Sequence, residues 1–249
     1  MTRQSRAPSA LNSSPRSSLS LADRHADARD DRSEGTIKRI TDAVVYGIRA
    51  GQFAPGQHLV EVDLTRRFQI SRGSLREAMK HLAADGIVTL NRYRGAYIAA
   101  LDRKGVSDLL DTLEPLCRLT ARLAAEHCES VDDKVRLKRI ATALADFADG
   151  GERASYLEYR RHFYDTLVEI GGNAELGRVI PLARTDLFRA QFESVQTSRQ
   201  RTRHANGYGA IADTVIARDP KGADLAVKRH FNGTRKTLEE LPDQVFRSE

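Results

Sequence analysis

Between Ile37 and Ala100 the spacing of apolar residues changes in an order that few folds accommodate. Ile37, Ile40, Val44, Val45 and Ile48 recur at helical spacing, and Gly51 follows as a stop signal. Pro55-Gly56 marks a turn. Leu64 and Phe68 then share one face of a short helix over Glu61–Phe68. Ser71 is a suitable N-cap for a third helix running to Ala84, with Leu75, Met79 and Leu82 as its apolar face and Gly86 closing it. Two strands, Ile87–Asn91 and Ala96–Ala100, flank the turn Arg92-Tyr93-Arg94-Gly95.

Three helices followed by a hairpin is the order of a winged helix-turn-helix, expected over residues 35–102. The charge agrees in place and sign. The whole chain carries +6, yet residues 35–104 alone carry twelve Lys/Arg against six Asp/Glu, while 1–34 balance at +1 and 105–249 at −1. A basic segment suits a phosphate backbone, although charge alone more often marks a solvated face. The first turn of the third helix reads Ser71-Arg72-Gly73-Ser74-Leu75-Arg76. Arg72 and Arg76 are four apart and share a face, and arginine pairs bidentately with guanine in the major groove. Ser71 and Ser74 are candidates for phosphate bonds, and Gly73 lets the backbone come close. Arg92 and Arg94, with Gly95 permitting the tight bend, are the wing candidates. Two arginines on a helix usually do no more than solubilise it. Here they coincide with a cap, a basic hairpin and a localised charge, and double-stranded operator DNA is the expected partner.

Residues 1–34, rich in Ser, Arg, Asp and Ala, are expected to form a disordered arm, and 243–249 a short tail. Residues 105–242 read as an all-helical bundle of about six helices with its own core, one of them kinked at Pro181; the fold class is mainly α. A short linker is expected at Asp102–Gly105. No run of residues is long and apolar enough for a membrane span, and the N-terminus lacks a secretory core, so a cytoplasmic location is expected. Cys117 and Cys128 are too far apart on one helix to bridge. No GxSxG, GxxxxGK[ST] or HExxH string is present, and an enzyme is not expected. The competing class is a helical scaffold whose helix-turn-helix touches protein, which would show no affinity for promoter DNA and no salt dependence.

Gly51, Pro55-Gly56, Leu59, Glu61, Leu64, the string ISRGSLREAMKHLAADGIV and the Arg94-Gly95-Ala96 wing together resemble the DNA-binding domain of the GntR family of bacterial regulators. Looser features, Leu123-Ala124-Ala125, Phe163, Gly171-Gly172-Asn173, Ala210-Ile211, Asp219 and His230, are similar to the effector domain of its FadR-type, or FCD, branch. The resemblance implies a homodimer on a palindromic operator, more simply a repressor than an activator, with a small organic acid shifting its DNA affinity. It assigns recognition to Ser71, Arg72, Gly73, Ser74 and Arg76 and the wing role to Arg94 and Gly95. Many relatives place an arginine after the glutamate matching Glu61, where this chain has Val62.

The resemblance also implies a metal held by an Asp and a His four apart and by two further histidines. The matching positions here are Arg160, Tyr164, Tyr208 and His230, of which only the last is a ligand type. No metal cofactor is therefore expected. Two readings stay open for these four residues. They bind an anionic effector directly, with Arg160 pairing its acidic group, or they pack shut as plain core. A shifted metal site at His162 and His204, and a cavity role for Arg118 or Arg184, are lesser alternatives.

Overall fold

A computed structural model of the chain describes residues 21–147, 152–192 and 195–246. Helix α1 (Leu21–Arg49) buries Ile40, Val44 and Ile48, each four residues from the next, against helix α3 (Arg72–Ala84). Residues 21–34 of the expected disordered arm are helical backbone within α1; residues 1–20 lie outside the described residues. Helix α2 (Glu61–Phe68) ends at Gln69, whose left-handed backbone turns the chain toward α3. Strands β2 (Val88–Asn91) and β3 (Gly95–Ile98) form the hairpin, with Val88 opposite Ile98 and Asn91 opposite Gly95. A strand that the sequence did not announce, β1 (His58–Leu59), pairs antiparallel with β3, so the sheet order is β1-β3-β2. Leu59, Leu64, Leu75, Met79, Leu82, Ile87 and Ile98 close this core.

The second core is made by helices α4 (Arg103–His127), α5 (Val131–Asp146), α6 (Arg153–Gly171), α7 (Ala174–Val179), α8 (Leu182–Phe192), α9 (Ser198–Ile216) and α10 (Pro220–Glu240). Most start on a side-chain cap: Asp102, Ser130, Asn173, Thr197 and Asp219 each accept a backbone N–H of the first turn. Asp102–Gly105, expected as a linker, is in fact the cap and first turn of α4. Pro181 does not kink a helix. It separates α7 from α8, because the residue before a proline is driven out of helical geometry, and Ile180 is extended. That gives seven α-helices among the described residues of this half where about six were expected, with α9 starting at Ser198, inside the polar stretch Thr197–Arg203 that reads in the sequence as a break.

Candidate nucleic-acid interface and buried polar cavity

The cap of α3 is made by Ser71: its Oγ accepts the Ser74 N–H at 3.0 Å and meets the Ser74 Oγ at 2.9 Å. Both hydroxyls are thus engaged with each other, and the amides of Arg72 and Gly73, in the first turn of the helix, have no intrahelical acceptor. Arg72 and Arg76 are exposed on the solvent side of a helix whose other side buries Leu75, Ala78, Met79 and Leu82. Arg76 has only a long contact, 3.8 Å, to Glu61, so both guanidiniums can swing onto a ligand. Val62 is half exposed on α2 and brings no charge to this surface. Arg67, by contrast, is occupied structurally: it donates to Gln52 and lies over the Phe53 and Phe68 rings.

The wing is tightened by Asn91, a residue the motif reading passed over. Its Oδ1 accepts the N–H groups of Tyr93 (3.1 Å) and Arg94 (3.2 Å), a local turn that holds Arg92, Tyr93 and Arg94 outward. Gly95 has φ +84, which explains a glycine there. Tyr93 is 89% exposed at the tip. An aromatic ring between two arginines, thrust into water with nothing to pack on, is the sort of group that meets a nucleic-acid groove.

Arg160 and Tyr164 on α6, Tyr208 on α9 and His230 on α10 come together in the helical core, all buried. The Arg160 guanidinium lies 5.2 Å from the Tyr164 ring centre, Tyr208 lies 4.7 Å from His230, and His204 stacks 4.3 Å from His230. Two residues absent from the sequence reading complete the group, both on α8. Asp186, almost wholly buried, accepts from Arg160 at 3.1 Å and lies 3.6 Å from Arg161. Arg189 reaches the same space beside His204 and Thr234. Of this group Arg160, Tyr164, Arg189, His230 and Thr234, together with Leu113, Thr185, Phe188 and Phe231, line a cavity of about 20 Å³, room for one water molecule, while Tyr208 packs beside His230 without lining it. Beyond His204 and His230, a groove of about 220 Å³ between α9 and α10 opens to solvent past Gly207 and Arg229.

Exclusion of water sets the charges here. Burial, with Arg189 and Arg160 nearby, pushes the His230 imidazole down to about 3, and burial holds His204 well below the usual range too. Both rings are neutral at pH 7. Burial also drives the Tyr164 phenol well above 10. Arg160 keeps its charge: burial opposes it, but Tyr208 and Asp186 beside it more than offset this.

The two halves of the chain have separate counterparts among known proteins. A model described as bacterial regulatory proteins, gntR family, matches residues 36–98, and one described as FCD domain matches 106–233. The chain belongs to the GntR family, in the branch that carries an FCD domain. Members of this family are DNA-binding transcription regulators, not enzymes. The chain is 22% identical over 182 residues to the HTH-type transcriptional regulator YdhC of Bacillus subtilis, covering 73% of this chain and 81% of that one. It is 24% identical over 217 residues to the galactonate operon transcriptional repressor of Escherichia coli K12, covering 77% and 91%. Among solved structures, Escherichia coli McbR/YncC shares the fold with a TM-score of 0.71 at 14% identity, covering 82% of this chain and 97% of that one.

The metal implied for GntR regulators of this branch does not suit the residues present. The position expected to offer a carboxylate is a guanidinium, and the nearby carboxylate, Asp186, already faces two arginines. Among the described residues no three His, Cys, Asp or Glu side chains gather as a metal site. His162 is exposed and held by Glu158 at 3.2 Å, away from His204, so those two histidines form no shared site. Arg118 and Arg184 do not line the cavity either. Arg118 pairs with Asp224 at 3.0 and 2.7 Å, and Arg184 lies against Gly86 of the DNA-binding domain. Among the described residues no helix is long and apolar enough to cross a membrane.

Proposed function

We propose that this regulator is a cytoplasmic repressor that grips a palindromic operator as a homodimer through α3 and the wing, and that a small organic acid entering the cavity lined by Arg160, Tyr164 and His230, beside Tyr208, changes this grip without a metal. The observation that carries the DNA half is the alignment of exposed, weakly paired Arg72 and Arg76 with the Arg92–Tyr93–Arg94 wing on the one basic segment of the chain. Two such units related by a two-fold axis meet successive major grooves, which is why a palindrome follows from a dimer. The effector half is supported by buried cationic and polar groups that a closed apolar core would not keep. A relative named for repression of a galactonate operon, galactonate being a carboxylate, points the same way.

Footprinting on the DNA upstream of the chain's own gene, with protein dialysed against EDTA, tests the reading. Protection of a symmetric site, retained over competitor of scrambled sequence, is the expected result. Binding with no preference over the scrambled duplex contradicts operator recognition, and loss of the footprint with EDTA contradicts a metal-free regulator.

A further inference from the structure

Helix α8 is buried on two sides by two different cores. Leu187 and Ala190 lie in the core of the DNA-binding domain, with Ala183 packed against it. Thr185, Phe188 and Arg189 line the cavity, and Asp186 holds Arg160. Gln191 grips the segment that joins the domains: its Oε1 accepts the Leu101 N–H at 2.9 Å, and its Nε2 donates to the carbonyls of Leu101 (2.8 Å) and Val245 (2.9 Å). One helix of eleven residues therefore touches the cavity, the joining segment and the DNA-binding domain.

The two arginines at the cavity differ in what they still lack. Arg160 is matched by Asp186. Arg189 has no carboxylate within ion-pair distance among the described residues; its Nε is buried without a partner. Its Nη2 has only the His204 Nδ1 at 3.4 Å and the Thr234 Oγ1 at 3.5 Å, two neutral groups at long range. A guanidinium facing a nearly dry space without a counter-charge is poised for an acid's two oxygens.

We propose that Arg189, not Arg160, anchors the acidic group of the ligand, and that α8 passes the resulting movement to the DNA-binding domain through Leu187, Ala190 and Gln191. This rests on the reading of the cavity as the effector site. The cavity has room for no more than one water, so a ligand of several carbon atoms has to push its walls apart. The groove between α9 and α10 and the cavity share His230 as a wall, and His204, 4.3 Å from that ring, lines the groove. Gly207 leaves the space in which His230 sits, since a Cβ there would lie 2.0 Å from the His230 Nδ1. Close-packed interiors do not absorb such a displacement locally. A shift of α8 toward the anion repacks the core it shares with α1 and α3 and pulls Leu101, and with it the angle between the domains.

The test measures melting temperature and operator affinity of the full chain with citrate, L-malate or D-gluconate as probes. At least one acid is expected to raise the melting temperature of the wild type and to change its operator affinity. Arg189→Met is expected to need at least ten times more of that acid while binding the operator as the wild type does without it. Arg189→Lys, which keeps the charge but loses the fork, falls between, and separates anion binding from a folding defect. Gln191→Leu is expected to keep the thermal response and lose the operator response. Wild-type acid affinity in both Arg189 variants overturns the anchor, and a full operator response in Gln191→Leu overturns the lever. If none of the acids stabilises the wild type, the acid-binding reading of the cavity fails, and this inference with it.

Discussion

His230 occupies the one position of the four where the resemblance kept a metal ligand, yet its surroundings make it a neutral core histidine. An imidazole titrating near 3 in the folded chain and near 6.5 when unfolded stabilises the fold above pH 6.5, and this contribution is lost as pH falls toward 3. Between pH 7 and pH 5 the loss through His230 amounts to about 2 kcal/mol, from about 1.4 kcal/mol per pH unit below the unfolded pKa. Chemical denaturation of the wild type and of His230→Gln at these two pH values is expected to show a smaller acid loss in the variant. Equal losses would mean that His230 is hydrated and charged in the native state. At this scale the sequence placed Arg160, Tyr164, Tyr208 and His230 in one space, and the structure brings them together. It could not supply Asp186 or Arg189. These are ordinary charged residues on a helix, and only the core of the DNA-binding domain, on the far side of α8, turns them inward.

Among the elements, α3 carries the most concentrated expectation, because its first turn serves both stability and recognition. Removing the Ser71 hydroxyl leaves the Ser74 amide without its cap, a loss of about 1 kcal/mol. Aspartate caps as well as serine but places a negative charge where a phosphate is expected. Ser71→Asp is therefore expected to melt like the wild type and to bind operator at least tenfold more weakly, whereas Ser71→Ala loses stability. Normal operator binding by Ser71→Asp would turn the N-terminus of α3 away from the DNA. The helices α2 and α3 were legible to within a residue because cap, apolar stripe and stop signal agree locally. Strand β1 was not, since two residues have no period and exist as a strand only through β3. Pro181, expected as a kink within one helix, instead divides two, because the residue before it, Ile180, is extended.

At the scale of the molecule, basic charge and recognition geometry are confined to one domain, and the other contributes a nearly closed polar cavity whose wall, α8, is also part of the first domain's core. The division into two halves was visible in charge and periodicity. The shared helix was not, because nothing local in Leu187 or Ala190 says which core they join. Arg49 of α1, bonded to Glu158 of α6 at 2.5 Å, adds a second tie between the domains. Regulation then requires that the DNA grip itself be real and be made by the surface described. The measurement that reaches this most directly is operator affinity as a function of salt, for the wild type, Arg72→Ala, and an Arg92→Ala/Arg94→Ala pair. The wild type is expected to weaken steeply with salt, and the wing pair to lower the slope by about 0.9 for each phosphate that is no longer neutralised. Arg72→Ala is expected to cost roughly 1–3 kcal/mol and to relax discrimination at one base position. An affinity indifferent to salt, or unchanged in all three proteins, would contradict a grip made by α3 and the wing.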